Sequence, residues 1–509
     1  MNDFVLFGRV LTVDSDRRVH RRGAVYVHEG VIETVQPEAA PPPAGFGSAR
    51  RVRTAGLITP GLIDLHNHLA YNTLPLWTGR DAAYKTRYQW PGAPTYQSDV
   101  SNPAQALGIA APAAALRYAE VKAVVGGVTA IQGSPPVTRA FPGWMVRNVE
   151  KEPIGVKKPI FQSVLPATPE QLDSTAERMA QGRSFIYHLG EGIDPVLRKE
   201  FTLLDDHGCV GGGLIGIHST ALTAADYDRW RAAGGGAVVW SPFSNLWLYG
   251  GTTDVLAARA AGLRVCLGSD WTPSGTRNVL GELKVAATWN DHALGAALSD
   301  AELVEMATAN PGDTLARAWG AQVGRLVPGA LADIAVWGNV DSDPWRTVLR
   351  ATERHVRLVI VGGRPAYGNL ALLRAIGAED PEPITVAGVR RGVVMNLPEE
   401  LLPLEPDLRR EATKSWADGL AELAGVWTDP GGSVRRARGR RAVGEPTFEF
   451  VPDMPSAAAD DTRALDDDEL DQLVMPTFDG VGHDGRWLAS VALRAPAHAD
   501  VLKEAVRRF

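Results

Sequence analysis

The feature that most constrains this chain is a long alternation. Across residues 62–319, short apolar runs of strand length are separated by longer stretches with helical periodicity. That order predicts βαβ units, and with them a parallel sheet covered by helices. The apolar runs end near His68, Gln132, Val149, Leu165, His188, His218, Ser241 and Asp270, the run at Val149 being the least regular. These are eight strands, the number that closes a (β/α)8 TIM barrel, and such a barrel gathers its active-site groups at the C-terminal ends of its strands. The intervening helices carry their own punctuation. Residues 169–181 follow Thr168, a side chain suited to an N-cap, and residues 223–233 stop at Gly234.

On both sides of this region the pattern changes. Residues 4–35 alternate apolar runs with Gly and Asp turns, and GRLVPGALADIAVW and HVRLVIVGGRPAY do the same after the barrel. Together they predict one small β-sandwich into which the barrel is inserted. The expected division is residues 1–57 and 321–376 for the two parts of the sandwich, 58–320 for the barrel and 377–509 for an α-rich C-terminal extension. Within the extension the sequence predicts a helix near residues 408–423, a solvated loop at the basic run RRARGRR (435–441), an acidic stretch and a final helix. It reads as a separate appendage suited to surface contact or subunit packing, with no chemical constellation of its own.

Composition narrows the functional classes. A chain of 509 residues exceeds one ordinary core, and 45% hydrophobic with 22% charged residues is globular usage. The net charge of −7, with a single basic run followed by acidic sequence, argues against a nucleic-acid partner. The two cysteines, Cys209 and Cys266, lie in or beside apolar runs, so they read as small buried hydrophobes and not as a disulfide framework. The N-terminal residues lack the basic-then-apolar order of a leader, and no segment approaches the ~20 apolar residues that span a bilayer. A cytoplasmic location without a membrane partner is the expectation.

The chemistry concentrates at the strand ends. In GLIDLHNH, His66 and His68 are two residues apart on a strand, so both imidazoles project on one face, within reach of one metal ion. An isolated HxH is as readily two solvated or two core histidines. At the end of the first barrel strand it becomes a ligand pair. His188, in RSFIYHLGEG, ends the fifth strand, and Asp270, in RVCLGSDW, ends the eighth. Three imidazoles and one carboxylate suit zinc or ferrous iron, with room for a water made more acidic by the cation. Glu191, three residues after His188, leaves the strand and fits a proton donor over the mouth; its alternative is a loop or helix cap. His218, in LIGIHSTAL, ends the sixth strand, and three roles stay open for it: a hydrogen bond to the water or the scissile group, a fifth ligand, or structure.

These segments resemble the amidohydrolase superfamily over residues 4–367. The similarity lies in ITPGLIDLHNH, HLGEG, IHSTAL, SPFSNLWLYG, LGSDW and GRLVPGALADIAVW. The resemblance implies that His66, His68, His188 and Asp270 bind the metal, with Asp270 also taking a proton from the attacking water. It implies further that Glu191 is the acid of the His-x-x-Glu pattern of the cytosine, guanine and triazine-type members, and that His218 is their sixth-strand histidine. Imidazolonepropionase is of the same mononuclear type. Binuclear members carry a carboxylated lysine ending the fourth strand. PIFQSVLP offers none there, and Lys157 and Lys158 precede that strand, so one metal is expected.

The resulting expectation is a hydrolase that uses a metal-activated water to cleave a carbon–nitrogen bond in a small cyclic substrate, by cyclic amide hydrolysis or heterocycle deamination. A halide or ester leaving group at the same site, or a silent barrel acting as a binding scaffold, is the alternative. Residues 71–103, rich in aromatic and basic residues, form either a lid or a surface excursion. Trp77, Trp90, Trp240 and Trp271 fall near the predicted mouth, where they suit a flat apolar substrate unless they simply pack. A small-molecule substrate and a homodimer complete the expected partners.

Overall fold

The computed structural model describes residues 3–79, 82–141, 143–150, 160–163, 167–454 and 465–509. Leu165, Lys157 and Lys158 fall outside them. The fold is mixed α/β. Its strands are β1 (Phe4–Leu11), β2 (Val19–His28), β3 (Val31–Pro37), β4 (Arg50–Pro60), β5 (Leu62–Asp64), β6 (Val128–Ile131), β7 (Arg147–Asn148), β8 (Ile160–Ser163), β9 (Ser184–Leu189), β10 (Leu214–His218), β11 (Ala237–Trp240), β12 (Arg264–Leu267), β13 (Ile334–Trp337), β14 (Val356–Val361), β15 (Arg364–Gly368), β16 (Glu382–Val386) and β17 (Val389–Val393).

Nine strands form one sheet in the order β16-β17-β15-β14-β13-β4-β1-β2-β3. The long β4 joins its two halves, since it runs parallel to β1 and antiparallel to β13, with Ile58 opposite Val336. Strand pairing thus joins the two flanking β parts in one continuous sheet. The sheet also runs past residue 376 into the expected α-rich extension. Ala387 and Gly388 take φ of 46° and 75°, the two positive values of a tight hairpin turn, and so return β16 onto β17.

The strands from β5 to β12 are parallel and fall in two arcs, β5-β6-β7 and β8-β9-β10-β11-β12. Strand pairing among the described residues therefore stops short of the single closed barrel sheet. Between β7 and β8 the intervening residues 151–159 are not described. At the other seam, the backbone of Leu65 donates to Leu267 O (3.2 Å), Asp270 to His66 O (2.9 Å) and His68 to Asp270 O (2.8 Å). A left-handed turn at Asp270 (φ 63°) interrupts regular pairing there. Side chains from both arcs nevertheless share one buried interior: Ile63, Leu65 and Ala130 pack with Ile186, Ile215, Ile217 and Val239, and Trp319 adds to the same cluster.

The helices form where their caps are. Pro169–Ala180 begins at Thr168, whose hydroxyl accepts from Gln171 N while the Gln171 side chain returns to the Thr168 backbone. Ala224–Ala232 starts at Thr223, whose backbone N and hydroxyl both donate to Asp226 Oδ2. In the extension, the helix expected over residues 408–423 is split into Pro406–Ala412 and Trp416–Thr428, because Ser415 caps a new start through Asp418. The basic run is helical too, within Pro430–Ala442, not a loop. Asp429 caps that helix, and Arg435, Arg436 and Arg441 pair with Asp471, Asp429 and Glu449. Arginine is a good helix former once its charge is met by acidic neighbours.

The extension is no detached appendage. Asp479 is buried between Arg277 and Lys122, which lie outside the extension. His483 donates from Nδ1 to Glu353 at 2.6 Å, and Trp487 packs on Phe243. Cys209 and Cys266 are free and buried. No helix among the described residues is long and apolar enough to cross a membrane.

Candidate metal centre

His66 and His68 lie just past β5, on backbone held in extended register by the hydrogen bonds to Leu267 and Asp270. The two-residue spacing thus still sends both rings to one side, 4.9 Å apart between centroids. His188 comes from β9, and His218 ends β10, while Asp270 follows β12. The chain bends sharply at two of these positions, since His218 and Asp270 both have positive φ (62° and 63°). Left-handed backbone at non-glycine residues is strained, and here it turns each side chain inward over the strand ends.

All six candidate residues are buried, and those that carry nitrogen or oxygen toward the centre approach closely. His66 Nε2 stands 2.9 Å from Asp270 Oδ1, and His68 Nε2 3.6 Å from the same oxygen. His188 Nε2 lies 3.3 Å from His68 Nε2. Ligand atoms of His66, His68 and Asp270 fall within 4.8 Å of one another, as do those of His66, His188 and His218. Glu191 Oε1 is 3.8 Å from His218 Nε2. The geometry therefore brings every sequence-predicted site residue together.

Three of the imidazoles are held from behind by groups that accept a hydrogen bond. His66 Nδ1 donates to Gln132 Oε1 (3.0 Å), His68 Nδ1 to Asp453 Oδ2 (3.0 Å) and His218 Nδ1 to Asn245 Oδ1 (2.8 Å). The amide of Gln132 is itself fixed, with Oε1 accepting from Asn67 N and Nε2 donating to Glu150. With the proton on Nδ1, each ring turns the lone pair of Nε2 toward the centre. His218 Nε2 is fully buried without a hydrogen-bond partner among the described residues, and there His66 Nε2 and Asp270 Oδ1, also fully buried, have no polar partner outside the cluster beyond their mutual approach. Orphaned buried atoms are rare, and a convergent set of them is what a cation would satisfy. Donor types and burial fit a transition metal.

The electrostatics agree at Asp270 and His188. Burial would raise the Asp270 carboxyl, yet His66, His218 and His68 hold it well below the usual carboxylate range. Burial, reinforced by His66, His68 and His218, drives His188 well below an ordinary histidine and so keeps it neutral, as a ligand must be. His68 goes the other way: burial opposes its proton, but Asp453 and then Asp270 raise it. Beneath the site, burial lifts Asp64 to about 6, and this carboxyl accepts from Ser269 and Asn67, which brace the HxH turn.

Sequence reasoning missed the supporting residues. Gln132 and Asn245 announce nothing in their local sequence, and Asp453 lies in the extension. Tyr249 donates to Glu191 Oε1 at 2.6 Å and accepts from Trp90 Nε1 at 3.0 Å, which fixes the carboxylate beside His218. Trp90, Tyr96 and Trp271 form a buried aromatic group, with Trp271 6.4 Å from the His68 ring. Of the segment 71–103, Arg87 N donates to Glu191 O and Tyr84 N to Leu248 O, which ties this part of the chain to the site.

Comparison with known proteins bears on the fold. Residues 198–366 match the amidohydrolase family. That amidohydrolase segment contains His218 and Asp270, whereas His66, His68, His188 and Glu191 precede it. Over 142 residues the chain is 37% identical to the 5-methylthioadenosine/S-adenosylhomocysteine deaminase of Thermococcus onnurineus, a match covering 27% of this chain and 32% of that protein. It is 32% identical over 171 residues to the enzyme of the same name from Desulfitobacterium hafniense, covering 32% and 38%. The chain thus spans about a third of the length of these curated relatives. Among solved structures, the zinc-complexed atrazine chlorohydrolase of Arthrobacter aurescens TC1 superposes with a TM-score of 0.55 at 19% identity, covering 71% of this chain and 94% of that one. Guanine deaminase from C. acetobutylicum, with bound guanine, gives 0.55 at 18% identity, covering 72% and 100%. The fold is shared with these two proteins.

Proposed function

We propose that this chain is a metal-dependent hydrolase that cleaves a carbon–nitrogen bond of a small heterocycle, with ammonia as the leaving group. The two parallel arcs are read as one (β/α)8 barrel with the site at its C-terminal mouth, a reading favoured by the interior they share. The observation that carries the proposal is the convergence of buried ligand atoms from His66, His218 and Asp270, none satisfied from outside the cluster among the described residues, beside His68 and His188. One divalent metal, zinc ahead of iron, held by His66, His68, His188 and Asp270, would supply Lewis acidity and lower the pKa of a water toward neutrality.

The remaining work falls to side chains. Asp270, kept ionised by its histidine neighbours, accepts the proton released by the attacking water. His218, anchored through Nδ1 on Asn245, presents the Nε2 lone pair to the centre, where it accepts a hydrogen bond from the attacking water. Glu191, aligned by Tyr249, delivers a proton to the departing nitrogen. Trp90 and Trp271 supply flat apolar walls for the ring, and the curated relatives are named 5-methylthioadenosine/S-adenosylhomocysteine deaminases, so the substrate class proposed is an amino-substituted purine or similar heterocycle.

Zinc-loaded full-length protein, assayed for ammonia on a panel of aminopurines, aminopyrimidines, aminotriazines and cyclic amides, tests this reading. Ammonia from an aminoheterocycle supports deamination. Ring opening without ammonia replaces it by cyclic-amide hydrolysis, and no turnover of any member overturns the hydrolase.

A further inference from the structure

The acceptors behind the three imidazoles differ in one respect. Gln132 and Asn245 are neutral, but the partner of His68 is a carboxylate, Asp453, and it belongs to the extension, 385 residues away in sequence. We infer that Asp453 is a positioning residue for the metal ligand His68, so that the C-terminal extension completes the metal centre. This rests on the metal reading above.

Backbone bonds on both sides fix the delivery of Asp453. Phe450 N donates to Gly108 O (3.1 Å) and Val451 N to Pro136 O (2.9 Å), while Thr138 N donates to Glu449 O (2.9 Å). On the other side Met454 N donates to the hydroxyl of Tyr71 (3.1 Å). Gly108 admits this path, because a Cβ there would lie 2.4 Å from Phe450 O. The segment is therefore docked against the residues that follow β5 and β6, and its carboxylate arrives at the ring nitrogen of His68 that faces away from the centre.

Both partners are nearly inaccessible, with 0% and 5% of their side chains exposed. Asp453 Oδ1 is buried without a hydrogen-bond partner among the described residues, and no cationic side chain other than His68 is paired with this carboxylate there. A buried carboxylate is costly unless positive charge compensates it. Here a cation held on Nε2 of His68 would supply that charge through the ring. The hydrogen bond also fixes the ring's tautomer and orientation and makes Nε2 a better donor. Asp453 thereby couples the docking of the extension to the affinity of the centre for its metal.

The test measures zinc binding by metal-stripped full-length protein in competition with a chromophoric chelator, for wild type, Asp453→Ala and Asp453→Asn. Losing such a partner typically weakens metal binding roughly 10- to 100-fold, and D453A should fall in that range. D453N, which is isosteric and keeps an acceptor for Nδ1–H, should lose less. A cobalt-loaded sample adds a spectroscopic readout, since a reoriented His68 shifts the visible absorption bands whether or not activity is measured. Wild-type zinc affinity and an unchanged cobalt spectrum in both folded variants would overturn the assignment of Asp453 alone; if only D453N folds, its affinity and spectrum decide in the same way. Wild-type protein that binds no zinc overturns the metal reading itself.

Discussion

His188 Nε2 and His68 Nε2 face each other across 3.3 Å, one from β9 and the other from the turn after β5. With His68 Nδ1 donating to Asp453, two ring nitrogens meet with a proton or a cation as the only favourable occupant between them. His188→Ala removes one side of that pair. The expected outcome is joint loss of bound zinc and of activity, read by elemental analysis and the ammonia assay; full metal content in the folded variant would remove His188 from the ligand set.

Glu191 separates proton delivery from metal binding, because its carboxylate is bonded to Tyr249 and lies nearest His218. Glu191→Gln keeps the size and an acceptor but carries no proton to donate. Zinc content should stay at the wild-type level while kcat falls by roughly 10²- to 10⁴-fold, the usual contribution of a positioned acid. Unchanged kcat would leave Glu191 a loop-bracing residue.

Arg147 and Asp333 test how the strands around the site are tied to the large sheet. Arg147 Nε and Nη2 donate to Asp333 at 2.7 and 3.1 Å, both side chains are buried, and Asp333 also accepts from Gly362 N. Arg147→Met strands a buried carboxylate, and should cost about 3–5 kcal/mol of stability in denaturant unfolding. A loss below ~1 kcal/mol would show that solvent or another cation reaches Asp333.

Glu282 sets a pH dependence independent of the metal ligands. It is buried, accepts from Phe243 N at 3.1 Å and from Thr276 Oγ1 at 3.0 Å, and burial pushes its carboxyl from 4.5 to about 8. Below 4.5 the folded and unfolded chains both keep the proton. Between 4.5 and about 8 the unfolded chain releases it while the folded chain does not, so stability falls as pH rises through that window. Glu282→Gln should remove this slope, at most ~1.4 kcal/mol per pH unit, from unfolding curves of metal-free protein. An identical pH profile in the variant would contradict a protonated Glu282.

What could be read in the sequence was whatever short-range periodicity encodes. The two-residue spacing of His66 and His68, and the strand ends at His188 and His218, follow from alternation along a strand. The shared site requires only that parallel strands end on one side. The supports were illegible for a physical reason: Gln132 stands 66 residues from His66 and Asp453 385 residues from His68, distances over which only the folded chain relates one side chain to another. Local readings failed where a tertiary partner changed the balance. RRARGRR is helical because Asp429, Asp471 and Glu449 meet its charges, and the β16–β17 hairpin exists because Tyr367 and Gly368 on β15 offer β17 an edge to pair with.

The central claim, a single cation held by His66, His68, His188 and Asp270, is tested most directly by elemental analysis of full-length protein that has been stripped with chelator, supplied with zinc and dialysed. The account predicts about one tightly held zinc per chain in the wild type, and its loss in the His66→Ala/His68→Ala double variant. Zinc absent from the wild type, or retained in equal amount by the folded double variant, would contradict it.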